Sequence, residues 1–165
     1  MNPLLNNLLK ETSRSFYLTL RVLPRKVRPQ IGLAYLLART TDTIADTELV
    51  PVEQRLTALQ NLRDRILGNR AVPLNFGELA RQQGSPAERV LLEKVEESLA
   101  VLRGLTAEDL KLVRQVLDTI TRGQELDLRR FAPLESTLQR APDKLKLELQ
   151  PQQIIALRTD AELDD

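Results

Sequence analysis

Asp42 and Asp46 stand four residues apart in LLARTTDTIADT (Leu36–Thr47), a stretch otherwise apolar or small apart from Arg39. On a helix each residue advances about 100°, so with Tyr35 at zero, Arg39 falls at about 40°, Asp42 at about −20° and Asp46 at about 20°. These four share a sector of roughly 60°, and Arg28 projects onto it too. Leu33, Leu37 and Ile44 lie on the opposite side, so the helix is apolar around most of its girth with one narrow polar strip. Two carboxylates one turn apart repel each other, and near a helix C-terminus the dipole also disfavours them. A divalent cation reverses both costs: two carboxylates on adjacent turns suit Mg²⁺ with its waters and leave positions for substrate phosphates. Arg39 would then face a phosphate oxygen. The competing reading is a solvated strip in which Arg39 pairs with Asp42 three residues on.

The elements that must position this strip read as helices, with no credible strand run. Pro3–Thr12 forms a short helix with Leu4, Leu5, Leu8 and Leu9 on one face. Ser13–Leu23 mixes turn-forming serines with apolar residues. Pro24 and Pro29 suit the start of the helix that carries the strip to about Asp46. Pro51–Leu67 is the next helix, with Gly68 as its stop, and Asn69–Gln83 is loop or short helix. Ser85-Pro86-Ala87-Glu88 has the pattern of a capping box and opens a helix running to Arg103. A last long helix runs from Thr106 to about Arg130, followed by an irregular connector punctuated by Pro133, Pro142 and Pro151 (131–153, its core 132–153). Thr159 and Glu162 announce a further helix start. The length suits a single all-α domain over 1–165.

Composition narrows the chemistry. The chain is 42% hydrophobic and 28% charged with only 3% aromatic residues, so its core is aliphatic. It has no Cys and no His, which excludes disulfides, zinc sites of the usual N/S kind, Ser-His-Asp triads and Cys-His dyads. A metal here is a hard cation held by oxygen. The formal net charge of +1 gives no bulk case for nucleic acid. Apolar runs such as Gly32–Ala38 fall far short of the ~20 residues of a membrane span. The N-terminus lacks the features of a signal peptide, so a cytoplasmic protein is expected, with peripheral membrane contact left open.

The string Ser13-Arg14-Ser15-Phe16, Leu23-Pro24, Val27-Arg28, Tyr35…Arg39…Asp42…Asp46 resembles the N-terminal part of the squalene/phytoene synthase family. Arg122–Phe131 (RGQELDLRRF) is similar to the family's G-x-x-x-D-L segment, and Arg158–Leu163 (RTDAEL) to the lead-in to its next helix. The resemblance implies an all-α isoprenoid synthase fold that joins two prenyl diphosphates head to head. It implies that Asp42 and Asp46 form the first aspartate-rich motif and hold Mg²⁺ bridged to a diphosphate. Arg39 would face phosphate charge and Tyr35 the ionising carbon. Ser13, Ser15 and Phe16 would close over the pocket as a flap. Thr43 after Asp42 is similar to squalene synthases, where phytoene and dehydrosqualene synthases carry a second Asp. The resemblance therefore favours farnesyl diphosphate as substrate and squalene or its precursor as product, with NADPH a cofactor of a full-length enzyme. The phytoene-type reaction is the alternative.

Family members carry a second aspartate-rich motif, which this sequence lacks, so these 165 residues are expected to be an N-terminal portion that does not catalyse alone. A different class of reading is a non-catalytic helical module whose apolar faces bind a partner helix, with dimerisation or helix swapping as the consequence. Asp127 matches the family's D-L position, and a solvated face for Asp118, Glu125 and Asp127 is the competing reading. Glu93, Lys94, Glu96 and Glu97 read as an ordinary exposed face. Asp160, Glu162, Asp164 and Asp165 suit a helix start rather than a metal site.

Overall fold

Leucines at helical spacing dominate the interior of the computed structural model, which describes residues 1–140, with side chains through Phe131. Among the described residues eight helices follow in order: α1 (Pro3–Thr12), α2 (Arg14–Val22), α3 (Arg28–Ala45), α4 (Val52–Leu67), α5 (Gly77–Arg81), α6 (Pro86–Glu93), α7 (Val95–Arg103) and α8 (Ala107–Arg140). Among the described residues there is no strand, as the composition predicts. Met1–Leu128 forms one compact unit, and the boundary with the following unit falls within α8.

α1 begins where Asn2 accepts from the Leu4 amide at 2.9 Å with Pro3 in the first turn. It buries Leu5, Leu8 and Leu9. Ser13 closes α1 and opens α2: its amide donates to Leu9 O at 3.0 Å, and its hydroxyl accepts from the Phe16 amide at 3.3 Å. Arg28 then ties α2 to α3, donating Nε to Leu23 O at 2.8 Å and Nη2 to Arg21 O at 2.5 Å. These bonds satisfy carbonyls that the end of α2 leaves without helical partners.

α3 is the central element, packed against α1, α2, α4, α6 and α7. It buries Leu33, Leu37 and Ile44, the side opposite the polar strip, and Leu36 on its flank. The approach to α1 and α2 is closest at Gly32, where a Cβ would stand 2.9 Å from Leu9 Cδ1 and 3.1 Å from Leu20 Cδ2. Buried Thr40 returns its hydroxyl to Leu36 O at 2.8 Å, which satisfies that donor within the helix. α4 ends at Gly68, whose φ of 85° is the left-handed conformation that terminates helices.

Three expectations are corrected here. The helix predicted from Ser85 to Arg103 is two, broken at Lys94 (φ −95°, ψ 11°). Both pack on α3, but α6 also packs on α1 and α5 and α7 on α4, so the two halves share one neighbour and differ in the others. The capping box does not form: Ser85 makes no side-chain cap bond, and Glu88 is engaged elsewhere. Glu96 is not an ordinary surface residue. It takes Arg65 through both oxygens at 2.9 and 2.8 Å and the Leu74 amide at 2.9 Å, tying the loop after α4 to α7. The Arg65 hydrogen bonds hold its carboxyl below the usual range, against a burial cost.

The connector predicted from 131 is corrected as well, because α8 continues through Arg140. The residues around Pro133 (LRRFAPLESTLQR) are mostly good helix formers, and one interior proline removes a single hydrogen bond rather than ending every such helix. The remainder of the connector, the Thr159 start and the acidic residues from Asp160 lie outside the described residues.

Candidate functional site

The polar strip of α3 is set by the same periodicity that buries its leucines. Tyr35 and Arg39 are half-buried, Asp42 likewise, and Asp46 is exposed at the helix end. Asp46 is the C-cap of α3, its amide donating to Asp42 O at 2.8 Å. Both carboxylates therefore sit on the last turn, where the dipole is least favourable to them. A cation missed in the sequence offsets this. Arg55, 1% exposed on α4, donates Nη1 to Ala45 O at 2.6 Å beside the same helix end. It sits among Leu56, Leu59 and Leu62, and a lone Arg beside such a stripe reads as surface until its partner is seen.

Asp42 is contacted from α8 as well. Gln124 Nε2 donates to Asp42 Oδ1 at 2.5 Å across 82 positions of sequence. Burial raises the Asp42 carboxyl above its ordinary value; the Arg39 guanidinium opposes that rise, Asp46 adds to it, and the Gln124 bond opposes it. Gln124 was missed, yet a signal existed. Val113, Leu117, Thr121 and Leu128 are the buried stripe of α8, and Gln124 falls on it at helical spacing. Asp127, the residue singled out in that segment, is exposed.

Arg39 does not take Asp42 as its hydrogen-bond partner. Its Nη2 donates to Glu88 Oε1 on α6 at 2.7 Å, so the simple i,i+3 pairing is corrected. Phe16 of α2 stacks on Tyr35 of α3, ring centroids 3.8 Å apart and planes 10° from parallel. That contact brings the Ser13–Phe16 segment against the start of the strip. Ser13 and Ser15 hold their hydroxyl oxygens 3.4 Å apart at the N-terminus of α2. Asp118, by contrast, lies between Arg63 at 2.5 Å and Arg122 at 3.1 Å. The Arg63 bond foremost lowers its pKa, which marks a structural tie between α4 and α8.

Asp42 and Asp46 are oxygen donors only, one turn apart, at a half-exposed edge with an amide fixing one oxygen. That set suits a hard cation keeping part of its water. Among the described residues no group of three or more acidic, His or Cys side chains gathers in a way that could hold a metal.

This all-helical arrangement, with a carboxylate pair on its central helix, falls within a defined class: the chain belongs to the squalene/phytoene synthase family, which matches residues 9–146. Among characterised proteins it is similar to the presqualene diphosphate synthase of Rhodopseudomonas palustris (strain ATCC BAA-98 / CGA009), with 35% identity over 124 residues. That match covers 75% of this chain and 37% of the relative, so the chain spans little more than a third of the relative's length. No solved structure matches.

Proposed function

We propose that the chain supplies the first diphosphate-binding half of a head-to-head prenyl diphosphate synthase acting on farnesyl diphosphate. The product on this reading is presqualene diphosphate or squalene. The observation that carries the proposal is the Phe16–Tyr35 stack, which joins the serine-bearing segment to a strip ending in Asp42 and Asp46. Asp42 and Asp46 hold Mg²⁺, and the ion when bound neutralises charge on the leaving diphosphate. Arg39 adds a second positive charge there, exchanging Glu88 for a phosphate oxygen. Ser13 and Ser15 donate hydroxyl protons to the same anion. Tyr35, fixed by Phe16, presents its ring to the carbon that becomes cationic as the C–O bond breaks, and it needs no proton transfer to do so. The farnesyl choice is supported by Thr43 and by the relative's name. Forming presqualene diphosphate from two farnesyl diphosphates releases diphosphate and a proton and needs no reductant, so NADPH belongs only to a reaction that goes on to squalene.

The test is equilibrium dialysis of the 165-residue chain against farnesyl diphosphate with and without Mg²⁺, followed by mass spectrometry of the lipid extract. The expected result is Mg²⁺-dependent binding without product, because two carboxylates are half of a ligand set. Binding indifferent to Mg²⁺ overturns the metal–diphosphate reading, and product formation overturns the half-site reading.

A further inference from the structure

Between Glu11 and Asp42 the chain carries six cations and no carboxylate, although the whole chain is nearly balanced at 24 basic against 23 acidic residues. Five of the six (Arg14, Arg21, Arg25, Lys26 and Arg28) lie on α2, on the turn after it or at the first residue of α3. Tyr17, Arg21, Arg25 and Arg28 line a cavity of about 520 Å³ against Asn6 of α1. The two backbone bonds made by Arg28 fix its guanidinium at the cavity wall. Neither Arg21 nor Arg25 has an ion-pair partner among the described residues. Such a cavity suits a phosphate oxygen cluster.

The surroundings indicate where that phosphate comes from. α2 buries Leu20, and the opposite face places Arg14, Leu18, Arg21 and Val22 within a sector of roughly 100°. Leu18 is 53% exposed and Val22 81%, with Val27 exposed on the adjoining turn. Single exposed aliphatics are ordinary on any surface. Three in one short segment, interleaved with cations and free of carboxylates, have the composition of an interfacial helix rather than of a solvated one. A free anion has no use for the aliphatic side chains; a bilayer uses both. Among the described residues no helix is long and apolar enough to cross a membrane, so such a contact lies along the surface.

We infer that the outer face of α2 and the turn into α3 dock on an anionic phospholipid bilayer, the arginine-lined cavity taking a headgroup phosphate while Leu18, Val22 and Val27 enter the acyl boundary. The inference goes beyond the diphosphate site and does not depend on it. The test is co-sedimentation of the full chain with vesicles of phosphatidylcholine alone or with phosphatidylglycerol added, with titration of inorganic diphosphate in parallel. Binding is expected only to the anionic vesicles, weakening with salt. Each cation near the surface is worth roughly five-fold in partition, so R21Q/R25Q should lose on the order of 25-fold. L18S/V22S should lose at least about ten-fold. Both double variants change exposed side chains, and thermal melts check that they remain folded. Absence of vesicle binding overturns the inference, as does binding unchanged in either double variant. Diphosphate binding that needs Arg21 and Arg25, with no vesicle binding, also overturns it and reassigns the cavity to a soluble anion.

Discussion

Arg39 and Glu88 meet at 2.7 Å across the gap between α3 and α6, so the arginine of the polar strip is held by a carboxylate of another helix, and on the proposed function a phosphate competes with that carboxylate for it. Glu88→Gln removes that competing charge and keeps the side-chain shape. The pair is partly exposed, so the loss of stability should be small, about 0.2–1 kcal/mol. Affinity for diphosphate should rise roughly three-fold at low salt and the gain should fade as salt screens it. Calorimetric titration at two ionic strengths checks this. Weaker binding in the variant would mean that Glu88 positions Arg39 instead of restraining it.

Asp42 is stabilised in its neutral form, chiefly by burial, with Asp46 adding to the effect against Arg39 and Gln124. A carboxyl whose folded pKa lies above its unfolded value binds more protons in the folded state. Its contribution to stability is greatest at acid pH and declines as pH rises from about its ordinary value of 3.8 through the raised folded value. Asp42→Asn should therefore raise the melting temperature at pH 7, by roughly 1–2 °C for a few tenths of a kcal/mol. Its amide oxygen can still accept from Gln124. The gain should shrink toward acid pH, and thermal melts of both proteins across that range read it directly. A lower melting temperature at pH 7 contradicts the stated balance of charges.

Gly32 is where α3 lies closest to α1 and α2. Ala is the better helix former by about 0.5–1 kcal/mol, but a methyl there meets buried Leu9 and Leu20 at 2.9 and 3.1 Å. Overpacking of this kind costs typically about 1–3 kcal/mol, so Gly32→Ala should be destabilising on balance, by about 1 kcal/mol. Urea unfolding measures it. A stabilised variant would show that the two leucines give way freely.

What the residue pattern made legible was whatever depends on local spacing. α1 is bounded as predicted because an Asn-Pro start and leucines at helical intervals leave little choice. The polar strip follows from the same 3.6-residue period, since burying Leu33, Leu37 and Ile44 forces Tyr35, Arg39, Asp42 and Asp46 to the other side. Partner choice between distant elements was not legible. Nothing local to Arg39 names Glu88, nothing local to Asp42 names Gln124, and nothing around Arg55 announces that it caps α3. The break at Lys94 belongs with these: the buried stripe runs across it undisturbed, and only the tertiary neighbours that α6 and α7 do not share, α1 and α5 against α4, distinguish the two halves. Pro133 misled in the other direction, because a proline that usually ends a helix is tolerated within α8.

On the proposed function, Asp42 and Asp46 hold a divalent ion together with a diphosphate. A thermal shift series with Mg²⁺ alone, inorganic diphosphate alone and both together reads this on the protein itself. A ligand at about one hundred times its dissociation constant contributes roughly 2.7 kcal/mol, which is several degrees in a chain of this size. That rise is expected in the wild type only when both components are present, and none in the D42N/D46N variant relative to its own baseline. An equal rise in the double variant, or no rise in the wild type, would contradict it.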